Sequence, residues 1–424
     1  MIRHVLPFLL STILLALSPV ARALDVPIWF QYAVDFTDAS TSSGDDYLTD
    51  LSPVAAAGVL LRVTRLSDGV LLYDDFVADS GTDVGCATVT GMSAFEDYRL
   101  AVVSKASVNG NIVSVLNNDT DNAKYACVVP SFRPSSVPGL TVTLTTNIAD
   151  QWRTMAAATW AMRRSNAGLS GENLRFYTQR YVNPDGSMCG SCVRLVDSGP
   201  PLILAAYMCP SAECLNTFTK TLIVHEMGHM VARYANAGQK AHANYGYVPP
   251  PGGCIGEAGD SHALNSEEYQ GAAAAEGIAH FWAAYAFNDE SELDCAFDWY
   301  GDWIDWENNG HTTGSVWDAD LVSCAIYPNL ALLTHGIGSG DYAADMCTAG
   351  AGRAVEYDWL RMLWDLVSAE GIPVEDVYDI WDAADPQGWA SDGTDAAAAM
   401  SAGAATVGWQ PETDTEAAFN GTDR

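Results

Sequence analysis

Basic residues are scarce in this chain. Only 20 Lys and Arg stand against 53 Asp and Glu, giving a formal net charge of -33. Such a surface repels nucleic acid and anionic lipid, both of which are held by clustered cations, so those partners are excluded. The plain reading of the acidity is solubility; by itself it does not establish a basic substrate. Histidine is rarer still, at 8 in 424 residues, so any ordered histidine pattern stands out. Beyond residue 23 no apolar run approaches the ~20 residues that a bilayer-spanning helix needs. No internal repeat is present either.

The chain is otherwise rich in core-forming side chains. Apolar residues make up 49%, with 13 Trp and 18 Tyr, which marks a globular protein rather than a disordered one. A length of 424 residues favours two domains with accessory segments.

The amino terminus reads as an export signal over residues 1–23. Arg3 and His4 supply a positive start, Val5 to Leu17 is apolar but for two hydroxyl residues, and Ala21-Arg22-Ala23 is a small-x-small cleavage site. The expected product is a secreted or periplasmic chain starting near Leu24, with no membrane association after cleavage. Its oligomeric state is left open.

Export gives the 10 cysteines a meaning, because an even count in an oxidising compartment favours disulfides. Cys86 with Cys127 and Cys324 with Cys347 are the preferred pairs. Cys189-x-x-Cys192 and Cys209-x4-Cys214 are open to a second reading, as ligands of a structural zinc.

From Leu24 to about Pro138 short Val/Leu-rich runs alternate with Gly- and Asp-containing turns, such as Asn109-Gly110-Asn111. That rhythm predicts an all-β sandwich over 24–139. The acidic run from Asp35 to Asp50 lacks ordered calcium-ligand spacing and reads as a solvated loop. A Pro- and Ser-rich linker, Arg133 to Gly139, follows. Residues 140–390 then read as a second domain, α+β but mainly helical. Helical spacing covers Asn147–Ser165, Asn216–Asn236, Ser266–Phe287, Tyr327–Leu333 and Val355–Glu370. Strand-like pieces cover Leu174–Val182 and Pro201–Met208. Residues 391–424 form a small, polar tail.

One stretch carries chemistry. In TLIVHEMGHMVA, His225, Glu226 and His229 form H-E-x-x-H inside an uncharged run. Residues four apart share a helix face, so both imidazoles can reach one metal ion, and Glu226 can touch a water on that metal. Without a metal, burying two imidazoles and a carboxylate together would be costly. A third ligand is required. The arrangement with a histidine six residues further on is excluded, because Ala235 stands there and Ala232 replaces the midway glycine. His242, His262, Glu267, Glu268, Glu276 and His280 remain.

Here the segment AEGIAHFWA resembles the E-G-x-A segment that follows H-E-x-x-H in gluzincin metallopeptidases. The resemblance spans about Leu202 to Ala283. It implies a zincin-like metallopeptidase domain, Zn2+ as cofactor, Glu276 as third ligand beside His225 and His229, and peptide or protein as substrate. His280, one turn after Glu276, is a partner that orients a ligand, or the third ligand itself. Glu226 is the expected general base. Tyr300, His311, His335 and Tyr357 are donors available to an oxyanion. The rival reading is an exported binding or adhesion protein with a structural or degenerate metal site.

Overall fold

The computed structural model describes residues 23–33, 54–134, 139–144, 149–189, 191–198, 202–210, 220–241, 267–287, 353–368, 371–389 and 396–409. Alternation shapes its first third. Strand β1 (Leu24–Tyr32) buries Val26, Ile28, Phe30 and Tyr32 on one face. The short β2 (Val54–Ala55) is followed by β3 (Val59–Arg65), β4 (Leu71–Phe76) and β5 (Cys86–Met92). Then come β6 (Tyr98–Val108), β7 (Asn111–Leu116), β8 (Ala126–Phe132) and β9 (Leu140–Leu144). The turn between β6 and β7 is the expected one. Asn109 and Gly110 both take positive φ, 49° and 80°, as the two central residues of a type I′ hairpin must.

Helix α1 (Ala149–Arg164) buries Trp152, Met155, Ala156, Trp160 and Met162 and packs across β6 and β7. Asn109 helps to hold it there, donating from Nδ2 to the Met162 carbonyl at 2.6 Å. Three strands follow: β10 (Asn173–Tyr177), β11 (Cys192–Asp197) and β12 (Ile203–Tyr207). The expected buried strand in Pro201–Met208 is β12, all of whose residues are buried. After them come α2 (Lys220–Ala235), β13 (Glu267–Tyr269), α3 (Gln270–Ala286), β14 (Arg353–Val355) and α4 (Glu356–Ser368). Helices α5 (Val374–Ala383) and α6 (Ala396–Val407) end the described chain. Helix α6 falls in the stretch read as a polar tail, and it buries Ala396, Met400 and Ala404.

The fold class differs from the sequence reading. A β-sandwich followed by a mainly helical zincin-like domain is not what forms; the molecule is sheet-rich. Strands β3, β4, β6, β7 and β8 join β10, β11 and β12 in one 8-stranded sheet, and β1, β2, β5 and β9 make a 4-stranded one. The junction is parallel pairing of β7 with β10, Asn173 opposite Ile112 through Tyr177 opposite Leu116. The physical reason is that β7 is buried along nearly all of its length, and β10 pairs with the backbone groups of its edge where a sandwich would have ended. Six helices are described, against 14 strands.

The favoured Cys86–Cys127 bridge does not form. Both are free thiols, Cys86 on β5 in the smaller sheet and Cys127 on β8 in the larger. Cys189 and Cys192 are bonded to each other, and Cys209 is also in a disulfide, so these sulfurs are not held for a zinc. Cys324, Cys347, the export signal up to Arg22, the acidic run and the Tyr327–Leu333 helix lie outside the described residues. No described helix is long and apolar enough to cross a membrane.

Candidate active site

The Tyr234 hydroxyl of α2 anchors the helix to the larger sheet. Tyr234 Oη accepts from the Leu204 N–H at 3.0 Å and donates to the Asn173 carbonyl at 3.0 Å, tying the helix to β12 and β10. The partners of α2 and α3 are set by small residues. A Cβ on Gly228 would stand 2.7 Å from both Cα and O of Ala279, so the two backbones meet there. On its other side α3 presents Gly277 to α4, where a Cβ would collide with Trp359. Within E-G-x-A, then, the glycine admits α4 and the alanine admits α2.

That close approach brings the site together. His225 and His229 project from consecutive turns of α2, and Glu276 faces them from α3. Glu276 Oε2 lies 3.3 Å from His225 Nε2 and 2.9 Å from His229 Nε2. One ligand atom from each lies within 4.8 Å of the others. Zinc–ligand bonds of about 2.1 Å in a tetrahedron place ligand atoms roughly 3.4 Å apart, so the donor set and its spacing fit such an ion. His225 and Glu276 are only 6% and 3% exposed. Burial pushes the His225 imidazole down to about 3, and the nearby His280 and His229 push the same way against Glu276. The ring is therefore neutral at physiological pH, as a ligand must be.

Glu226 is buried in the same cleft, whose volume is ≈ 480 Å³ and whose lining includes His225, His229 and Glu276. His280 is not in the converging trio. Its ring lies against His225, centroids 4.1 Å apart, and its Nε2 is 3.3 Å from Oε2 of the buried Glu356 on α4. Its contact with His225 is one of ring packing. Glu267 and Glu268 stand on β13, and Tyr357 on α4. His242, His262, Tyr300, His311 and His335 lie outside the described residues.

The lining of the cleft also holds residues that sequence reasoning missed. Arg194 of β11, Arg233 of α2 and Lys240 all line the cleft, together with the Cys189–Cys192 disulfide. One signal was readable: Arg233 follows His229 at the same four-residue spacing. Arg194 and Lys240 carry no local pattern.

No protein-family model matches the chain, and neither a curated protein nor a solved structure matches it significantly.

Proposed function

We propose that this protein is an exported, zinc-dependent metallopeptidase. The observation that carries the reading is the convergence of His225, His229 and Glu276 in one open cleft, with Glu226 beside them. The likeness of HEMGH and EGIAHF to gluzincin peptidases supports it, as does a disulfide at the cleft, which suits an oxidising compartment. The case rests on the site and not on the fold.

His225, His229 and Glu276 would hold the metal, and the cleft leaves a side open for substrate. Zinc, when bound, supplies Lewis acidity, acidifying a coordinated water and polarising a substrate carbonyl. Glu226 takes the proton of the attacking water and returns it to the leaving amine. Its neighbours on α2 are buried, which keeps bulk solvent away from that carboxylate. His280, backed by Glu356, holds the His225 ring in place.

The test is Glu226→Gln in the full chain. Stoichiometric zinc should remain by metal analysis while hydrolysis of a broad peptide library disappears. Hydrolysis at the wild-type rate would remove Glu226 from its role.

A further inference from the structure

With so few cations in the chain, where they go unpaired is informative. Three on the surface pair with acids: Arg62 meets Asp74 at 2.8 Å, Arg65 meets Asp68 at 2.6 Å and Arg133 meets Asp97 at 2.8 Å. The exposed Arg99 and Lys124 form no ion pair with a described residue; what sets the cleft apart is that its cations line one pocket together. Arg194 arrives on β11 and Arg233 and Lys240 at the end of α2, and none of them forms an ion pair with a described residue.

Their other contacts are weak ones. Arg194 reaches the Val193 carbonyl at 3.3 Å and Asn183 Oδ1 at 3.4 Å, with its guanidinium 4.9 Å from the Tyr181 ring centroid. Arg233 reaches the Gly238 carbonyl at 3.4 Å, and its Nε is buried with no hydrogen-bond partner. These distances lie beyond a good N–H···O bond. The cations also feel one another. Desolvation is the main cause that holds Arg233 below its ordinary value, with Tyr234 opposing it and the charge of Arg194 adding to it; desolvation, Arg194 and Arg233 lower Lys240 in the same way, against Glu276. Keeping like charges together beside a buried Nε is costly unless an anion arrives.

We propose that this cationic wall receives a carboxylate of the substrate, close to the bond to be cut. The inference rests on the peptidase reading and adds the substrate class: peptides with an Asp or Glu side chain, or their own C-terminal carboxylate, near that bond. Arginine forks suit a carboxylate because two parallel N–H donors match its two oxygens. The placement follows from helix geometry. Arg233 is one turn past His229, about 6 Å along α2 at 1.5 Å per residue. An extended peptide covers that distance in about two residues. The held carboxylate therefore belongs within about two residues of the reacting carbonyl.

The experiment uses immobilised full-length Glu226→Gln protein loaded with zinc, so that peptides are retained and not consumed. Randomised peptide pools with free or amidated C termini are offered, and retained peptides are sequenced by mass spectrometry. The expected result is about tenfold or greater enrichment of the carboxylate-bearing peptides, falling as salt is raised. Enrichment of Asp and Glu in amidated pools identifies a side chain; enrichment confined to free acids identifies the terminus. Either should be lost in Arg194→Gln and Arg233→Gln backgrounds and weakened by Lys240→Gln, which alters a residue exposed to solvent. Retention without preference, no retention, or a preference that survives all three substitutions overturns the proposal. Hydrolysis by the unmodified chain is read separately. Equal cleavage of neutral and acidic peptides would overturn the carboxylate site and leave the peptidase reading intact. Selective retention without any hydrolysis would do the reverse.

Discussion

The two walls of the cleft are built on opposite principles. On the side of α2 and α3, His225, Glu226 and Glu276 are buried where the two helices meet over small residues. On the side of β11 and the end of α2, the ionisable groups are half-buried or exposed, cationic and unpaired. The first arrangement restricts where its side chains can go, which bond-making chemistry needs. The second leaves charge available to a visitor, which selection needs. Under the proposed reading, one wall carries the reaction and the other recognition, and the comparison can be broken from either side.

The largest effect should come from Glu276→Ala. Its carboxylate closes the donor trio, so zinc retained after dialysis should fall from stoichiometric to traces, with hydrolysis lost alongside. Glu226→Gln separates the two properties. Hydrolysis should drop by about 10² to 10⁴ while zinc stays, because a general base contributes about that much. A fall in zinc content equal to the fall in activity would mean that the chemistry wall is not divided between ligands and base as described.

Gly228→Val tests whether that wall depends on close packing. Its Cβ would meet Ala279 backbone at 2.7 Å, so α3 must shift and carry Glu276 away from the histidines. Destabilisation of about 1–3 kcal/mol is expected from overpacking, read as a lowered Tm. A displacement of about 1 Å at the ligand would reduce activity by roughly 10²-fold in the molecules that still fold. Full activity and full zinc content in this variant would show that the α2–α3 contact does not set the site.

How much of this could be read from the residues differs in the same way between the walls. HEMGH was legible because helical periodicity is local: residues four apart are neighbours whatever surrounds them. Glu276 required a likeness to known peptidases, since no local rule joins two helices. The cationic wall was illegible, because Arg194 and Lys240 gain meaning only when β11 and the end of α2 meet. The sheet was misread for a related reason. Individual strands were found at β3, β4, β6 and β7, but pairing between β7 and β10 spans a linker and a helix, and strand patterns do not name their partners. Cys86 and Cys127 were matched by domain and separation, and the two sheets then divided them.

The smallest effect belongs to a cation far from the cleft. Arg62 on β3 and Asp74 on β4 are cross-strand partners, paired at 2.8 Å with 52% and 36% of their side chains exposed. Strand β4 is the free edge of the larger sheet opposite β11. There charge discourages pairing with another chain and has no substrate to meet. Screened by solvent, the pair contributes at most about 0.5 kcal/mol, so Arg62→Gln should barely move the Tm. It should also leave peptide selection untouched, since the far edge of the sheet shares no residue with the cleft. Arg194→Gln removes one positive charge in the same manner, yet at the other edge, so the two variants have the same net charge. If both weakened retention of acidic peptides alike, the effect would be a general consequence of overall charge. If Arg194→Gln alone weakens it, the charge acts through its position in the cleft.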